Sequence, residues 1–316
     1  MGTHQSTNGF DEDLKTFIRK YFGCVSIERN ILDLVVEHCT DYSTQLSFVA
    51  NIIDSPLESR EVEVCAGMYS SLVTSLDTQN QFGHRVYFDR NFKKFIALKE
   101  KTMQLSNGTT GLSCWQASCD LAHYLLGVGG FLLQDEDVIE LGAGCGLVGI
   151  AVKASGRSRS VTLTDCNSEV LHILTENCRN NFREEVAENL FVEHLDWKDY
   201  DSNSFSKKYG LVIASDVMFD SDLAQPLVSV ICDLLNNSSE KKAECIMANV
   251  KRNPETYCAF ITEINRRHLK ILETFSFCDG IFTYEDGRCL KDDSLFVFSS
   301  SIRLPTVFHR ICAVNR

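Results

Sequence analysis

The segment Val138-Ile-Glu-Leu-Gly-Ala-Gly-Cys-Gly-Leu-Val-Gly149 constrains this chain more than any other. An apolar run of strand length enters three alternating glycines, Gly142, Gly144 and Gly146, and a helical pattern opens at about Leu147. Glycine admits positive φ and lets a ligand approach the main chain where a Cβ would block it. In an open parallel sheet such a loop falls at the carboxyl ends of the strands, where ligands bind.

The residues after Asp137 repeat this alternation. Strands are predicted at Ser160–Thr164, Leu190–Leu195, Leu211–Ser215 and Cys245–Asn249. Between them Val170, Leu171, Ile173, Leu174 and Cys178 mark one helix face, and Leu227, Val230, Ile231 and Leu234 another. A helix begins near Asp222, and Asn253-Pro254 opens one more as cap and first-turn proline. Apolar runs around Ile271–Phe277 and Leu295–Ser299 are expected to close the sheet as an antiparallel pair. Strand–helix alternation implies an α/β fold with right-handed crossovers.

Upstream the period changes. Leu14, Phe17, Ile18, Tyr21 and Phe22 form a helical stripe, with further helices expected around Ile31–Val36 and Leu46–Ile53. Phe82–Leu98 reads as a β-hairpin turning at Asp89–Asn91. The expected organisation is a helical module over 1–80, used for packing or recognition, a hairpin connector over 81–106, and a cofactor-binding domain over 107–316.

Two cofactors compete for the glycine loop. Gly144-x-Gly146-x-x-Gly149, with Asp165 about 20 residues on, fits the dinucleotide fingerprint of a nicotinamide oxidoreductase. Glu140-x-Gly142-x-Gly144-x-Gly146 fits an S-adenosylmethionine loop. A carboxylate at Glu140 facing the ligand would repel a pyrophosphate and attract the ammonium and sulfonium of the methyl donor. The later strand ends favour the methyl donor. Asp165 can grip ribose hydroxyls; Asp196 and Trp197 offer an acceptor for the adenine amino group and a ring for its face; Ser215-Asp216-Val-Met-Phe219 falls where the methyl would be transferred.

These stretches, with Gly108-Thr-Thr-Gly-Leu-Ser-Cys-Trp115 and Val250-Lys-Arg-Asn-Pro-Glu-Thr256, resemble the seven-strand protein-lysine methyltransferases, and within them the branch acting on translation elongation factor 2. The resemblance implies a seven-stranded Rossmann-like class I sheet with a helical N-terminal extension. It implies methyl transfer from S-adenosylmethionine, with S-adenosylhomocysteine as product, to a lysine of elongation factor 2. The positions matching the family's cofactor contacts are Trp115, Gly142, Ala143, Gly144, Asp165, Trp197 and Ser215. Asp-x-x-Tyr, usual after the fourth strand, is here Asp216-Val-Met-Phe219, as in a related calmodulin-directed branch. Asp216 is expected to orient the acceptor amine, and Phe219 and Trp115 to wall its channel. Asn253 and Glu255, with Arg252, are the candidates to face a substrate.

Composition bears on partners. With 31 basic against 43 acidic residues the net charge is −12, which argues against nucleic acid and anionic membranes. The 14 cysteines are scattered without a C-x-x-C pair, so no metal is expected and reduced thiols in a cytoplasmic protein are. The polar start lacks a signal peptide's apolar core, and Gly2 with Ser6 matches a short myristoylation pattern without a basic cluster behind it. A monomer is expected. The lost tyrosine hydroxyl keeps a second reading open, a catalytically silent protein of this fold that only binds partners.

Overall fold

The computed structural model describes residues 82–91, 94–101, 110–182, 188–201, 207–237, 243–298 and 304–314, with Thr16 and Arg19. The helical stripes expected before residue 80 and the Gly2 pattern lie outside the described residues, apart from Thr16 and Arg19, which are helical.

The described residues fall into two compact units. The smaller contains β1 (Phe82–Phe88) and β2 (Phe95–Lys101), paired antiparallel from Phe82↔Lys101 to Phe88↔Phe95. Asp89 closes the turn by accepting from the Lys94 N–H at 3.0 Å, and Phe296 adds a bridge at Asp89. Tyr87 packs on Phe298 with ring centroids 5.3 Å apart.

The larger unit is built on one mixed sheet. Its parallel part is β3 (Asp137–Leu141), β4 (Ser160–Asp165), β5 (Leu190–His194), β6 (Leu211–Ser215) and β7 (Glu244–Val250). β8 (Leu269–Cys278), β9 (Ile281–Tyr284), β10 (Cys289–Lys291) and β11 (Thr306–Ala313) complete it in the order β10-β9-β8-β11-β7-β6-β3-β4-β5. The chain leaves β3 toward β4 and β5, then returns to β6 on the other side of β3. That reversal is a topological switch point, where a crevice opens above the strand ends. The helices are α1 (Gln116–Leu126), α2 (Leu147–Ser155), α3 (Ser168–Asn181), α4 (Ala224–Asn236) and α5 (Pro254–Arg266). Fully buried apolar residues of β3, β6 and β7 (Ile139, Leu141, Val212, Ala214, Cys245, Met247) pack with Leu227, Val230 and Ile231 of α4 and Phe260 and Ile264 of α5.

The fold is α/β and Rossmann-like, as expected, but the sheet has nine strands among the described residues rather than seven. The β9–β10 hairpin extends it past β8. The closing pair also differs. β8 pairs with β11, and Phe296, in the described part of the Leu295–Ser299 run, bridges Asp89 instead. His309 and Arg310 interrupt the apolar run of β11 and hide it as a strand. Arg310 is nevertheless accommodated within the sheet by Glu244 of β7 and Glu273 of β8, its Nη1 lying 3.0 Å from Glu273 Oε2.

Candidate active site

The carboxyl ends of β3 to β7 and the residues leading into α1 enclose a cavity of about 370 Å³, the size usual for a cofactor-sized molecule. The glycine loop floors it. Gly142 and Gly144 hold φ of +66° and +54°, where any side chain is strained. A Cβ on Gly142 would also lie 2.9 Å from Val217 Cγ1 and 3.3 Å from Trp197 Cζ2, and one on Gly144 would lie 3.0 Å from the Gly111 carbonyl oxygen. The loop is held from both sides. The Ala143 N–H donates to the Thr164 carbonyl at 2.8 Å, and Asn177 Nδ2 of α3 donates to the Cys145 carbonyl at 2.9 Å.

Asp165, at the end of β4, receives the Gly144 N–H on Oδ2 at 3.2 Å and the Asn167 N–H on Oδ1 at 3.1 Å. Burial raises its pKa, against the pull of those backbone donors. Each oxygen keeps lone-pair capacity for a hydroxyl in the cavity. Asp196 and Trp197 follow β5 and line the same space, as do Ala143, Gly146, Ser215 and Trp115. Ser118, one turn after Trp115 on α1, also faces in, its hydroxyl 3.1 Å from that of Ser215. The sequence reading did not select Ser118. Its i+3 spacing from Trp115 was the available signal.

Glu140 corrects an expectation. It is 1% exposed and does not line the cavity. Its Oε2 accepts the Gly149 N–H at 2.8 Å. Gly146, at the cap position of α2, provides no side-chain acceptor, so Glu140 satisfies an orphan N–H of the first turn from the sheet beneath. Gly149 is what permits this approach, since a Cβ there would lie 2.7 Å from Glu140 Oε2 and 1.9 Å from Leu163 Cδ2. Desolvation pushes the Glu140 carboxyl up to about 8, only partly opposed by the Gly149 bond. The acid expected to attract the donor's ammonium is instead a helix cap.

The mouth of the cavity is made of side chains from three distant segments. Asp216, directly after β6, has φ of +51°. Its Oδ1 accepts the Val250 N–H at 3.1 Å, and its Oδ2 accepts the Ala117 N–H and Arg252 Nη2, each at 3.3 Å. Burial raises its pKa, and Arg252 is the strongest influence pulling it down. The Arg252 guanidinium also lies over Trp115, 4.7 Å from the ring centroid, while Trp115 Nε1 donates to the Thr110 carbonyl at 2.9 Å. Phe219 lines this mouth and is 58% exposed. Asn253 and Glu255 stay outside the cavity. The Asn253 side chain is spent capping α5, accepting the Glu255 N–H at 2.9 Å, and Glu255 is exposed.

A switch-point crevice floored by positive-φ glycines, with acids after two neighbouring strands and a tryptophan beside them, suits a ligand that carries a sugar and an aromatic base. A sequence profile described as lysine methyltransferase matches residues 93–267. The chain belongs to this lysine methyltransferase family, and the class it defines is an S-adenosylmethionine-dependent protein-lysine N-methyltransferase. The chain is similar to human protein-lysine N-methyltransferase EEF2KMT, 29% identical over 258 residues covering 77% of this chain and 78% of that one. The mouse protein of the same name is 27% identical over 275 residues, 82% of each chain. Among solved structures, a glycopeptide N-methyltransferase MtfA complexed with sinefungin is 11% identical with a TM-score of 0.46, covering 67% of this chain and 91% of that one.

Proposed function

We propose that this protein methylates a lysine of translation elongation factor 2, with the cavity at the β3–β7 strand ends holding S-adenosylmethionine. The observation carrying the substrate assignment is the similarity to EEF2KMT proteins over about four fifths of both chains. The residues present suit the cofactor. The positive-φ turn at Gly142 and Gly144 presents main chain rather than side chain to the cavity, Asp165 keeps acceptor capacity for hydroxyls, and Asp196 with Trp197 suits a purine's amino group and face. Bound there, S-adenosylmethionine supplies a methyl group on a positively charged sulfur.

The chain's own residues have three tasks. Asp216 holds the acceptor lysine by its ammonium and turns the nitrogen toward the cavity. Trp115 and Phe219 wall the channel, and their ring faces attract an ammonium at each stage of methylation. Together these groups exclude water and fix the approach, the source of much of the acceleration in a displacement of this kind. At pH 7 the lysine releases its proton to bulk solvent before it is closed into the channel, at a cost of about 4–5 kcal/mol from its reference pKa. Burial beside a sulfonium charge lowers that cost, so no strong base or metal is needed. The partner is a protein, without nucleic acid or membrane, as the charge of −12 favours. The protein acts in the cytoplasm as a monomer, with the segment 1–80 as a recognition module.

The test is to incubate the protein with radiolabelled methyl donor and a cell extract, then identify the labelled species. Label on a lysine of elongation factor 2 is expected. Label confined to RNA or small metabolites would overturn the reading.

A further inference from the structure

Arg252 stands two residues beyond β7 and one before the cap of α5, in neither a strand nor a helix. Its guanidinium turns back into the mouth of the cavity. There it meets two partners at once, Asp216 Oδ2 at 3.3 Å and the face of Trp115 at 4.7 Å. A carboxylate and an aromatic face are the pair that recognises a cation. In the reading above, they are also the pair that receives the acceptor's ammonium. On Asp216 Oδ2 the Ala117 N–H and Arg252 take both lone pairs, and the same guanidinium covers the Trp115 face, so the place between that oxygen and that ring is filled. Arg252 and a lysine ammonium therefore compete for one place.

We propose that Arg252 is a place-holder cation that occupies the acceptor-lysine site and is exchanged for the substrate's ammonium. The inference rests on the assignment of Asp216 and Trp115 to that site. The Asp216 side chain is 8% exposed, and a buried carboxylate without a counter-charge is costly. Arg252 meets that need whenever no substrate is present. Its own side chain is 40% exposed, so solvent screens the pair and the contact is weak enough to yield. The exchange conserves charge: one cation leaves the carboxylate as another arrives.

The consequence is selectivity. An acceptor must outcompete Arg252, so its apparent affinity is reduced by the fraction of time the place is open. A lysine carried on a protein surface brings contacts from its neighbours to offset this. A free amine or a short unstructured peptide brings none and is turned away. Arg252 is thus a specificity-determining residue for the methyl-transfer reaction, and its work is exclusion.

The experiment compares full-length wild type, Arg252→Ala and the double variant Arg252→Ala/Asp216→Asn, each saturated with S-adenosylhomocysteine. n-Butylammonium, the end of a lysine side chain, is titrated and its binding followed by ligand-detected NMR. Arg252→Ala is expected to bind it roughly tenfold more tightly than wild type, and the double variant to lose that gain. In turnover with purified elongation factor 2, Arg252→Ala should lower KM for the protein acceptor several-fold while leaving KM for the methyl donor unchanged. Arg252→Gln, which keeps a hydrogen bond to Asp216 without the charge, should fall between. Unchanged or weaker amine binding by Arg252→Ala overturns the proposal, as does a gain that survives removal of the Asp216 charge. A wild type that labels no lysine of elongation factor 2 would instead sink the substrate assignment, with the butylammonium titration still deciding the role of Arg252.

Discussion

The floor and the mouth of one cavity are built by different means. At the ends of β3 and β4 the backbone does the shaping: two positive-φ glycines, a carbonyl of β4 holding the loop, and an aspartate whose oxygens both receive main-chain N–H groups. At the ends of β6 and β7 the aspartate, Asp216, likewise receives two main-chain N–H groups, but what faces it is side chain: the Arg252 guanidinium and the Trp115 ring, brought from positions 252 and 115. Main-chain shaping gives a rigid mould for one ligand shape. Side-chain shaping leaves a mouth that can rearrange for a partner arriving from solution.

That contrast is broken most directly at Gly142. Gly142→Ala forces a Cβ into the left-handed region, a cost of about 1–2 kcal/mol, and pushes it against Val217 and Trp197. Strain and clash together cost about 2–4 kcal/mol, so calorimetry should show donor affinity reduced roughly 30- to 1,000-fold at about 1.4 kcal/mol per decade, with the far-UV circular dichroism preserved. Binding within threefold of wild type would show that the floor is as yielding as the mouth.

Asp216→Asn is the matching change on the acceptor side. Asparagine tolerates the positive φ that Asp216 adopts, so the fold should persist. We expect kcat to fall roughly 10- to 100-fold, a range typical of a lost positioning contact, with donor affinity within threefold. The pH profile sharpens the test. Burial raises the Asp216 pKa, so its charge disappears at a higher pH than an ordinary aspartate's. Wild-type activity should therefore fall as pH drops, along an acid limb above the usual carboxylate range, and that limb should be missing in Asp216→Asn.

The contrast also governs what the sequence discloses. Glycine spacing, strand-end acids and Asn253-Pro254 are local signals, and they place the loop, Asp165, Asp196 and the start of α5 at the cavity or beside it. Glu140 misleads because residue type cannot reveal which side of a strand end its carboxylate takes. Only the packing of α2 shows it serving the Gly149 N–H. β11 is hidden because the Glu244 and Glu273 carboxylates that let Arg310 sit in a sheet come from strands far away in sequence. Asp216 and Trp115 are expected together at the acceptor channel through the resemblance, but the return of Arg252 onto them is hidden for the same reason.

Glu140 gives a smaller effect, on stability rather than on ligand affinity. Its folded carboxyl keeps a proton up to about pH 8, whereas in the unfolded chain it releases it near 4.5. Between those values folding takes up a proton, so stability falls as pH rises through the window and levels off above it. Glu140→Gln removes the titration while keeping an acceptor for Gly149. Thermal melts from pH 5 to 9 should show the wild type losing stability relative to the variant, by roughly 1–4 kcal/mol. Parallel curves would mean that the carboxyl is ionised beneath α2 throughout.

The smallest effect is expected at Phe219, where the acceptor mouth meets solvent. The ring is more than half exposed and makes little of the core, so Phe219→Ala should leave the melting temperature nearly unchanged. A ring-to-ammonium contact at an exposed site contributes about 0.5–1 kcal/mol, so KM for the protein acceptor should rise roughly two- to fivefold. Donor affinity should not move, because the floor that holds the donor is shaped by main chain on the far side of β3. A loss of donor binding on this truncation would mean that floor and mouth are one coupled structure, and that a change at the yielding side is felt in the mould.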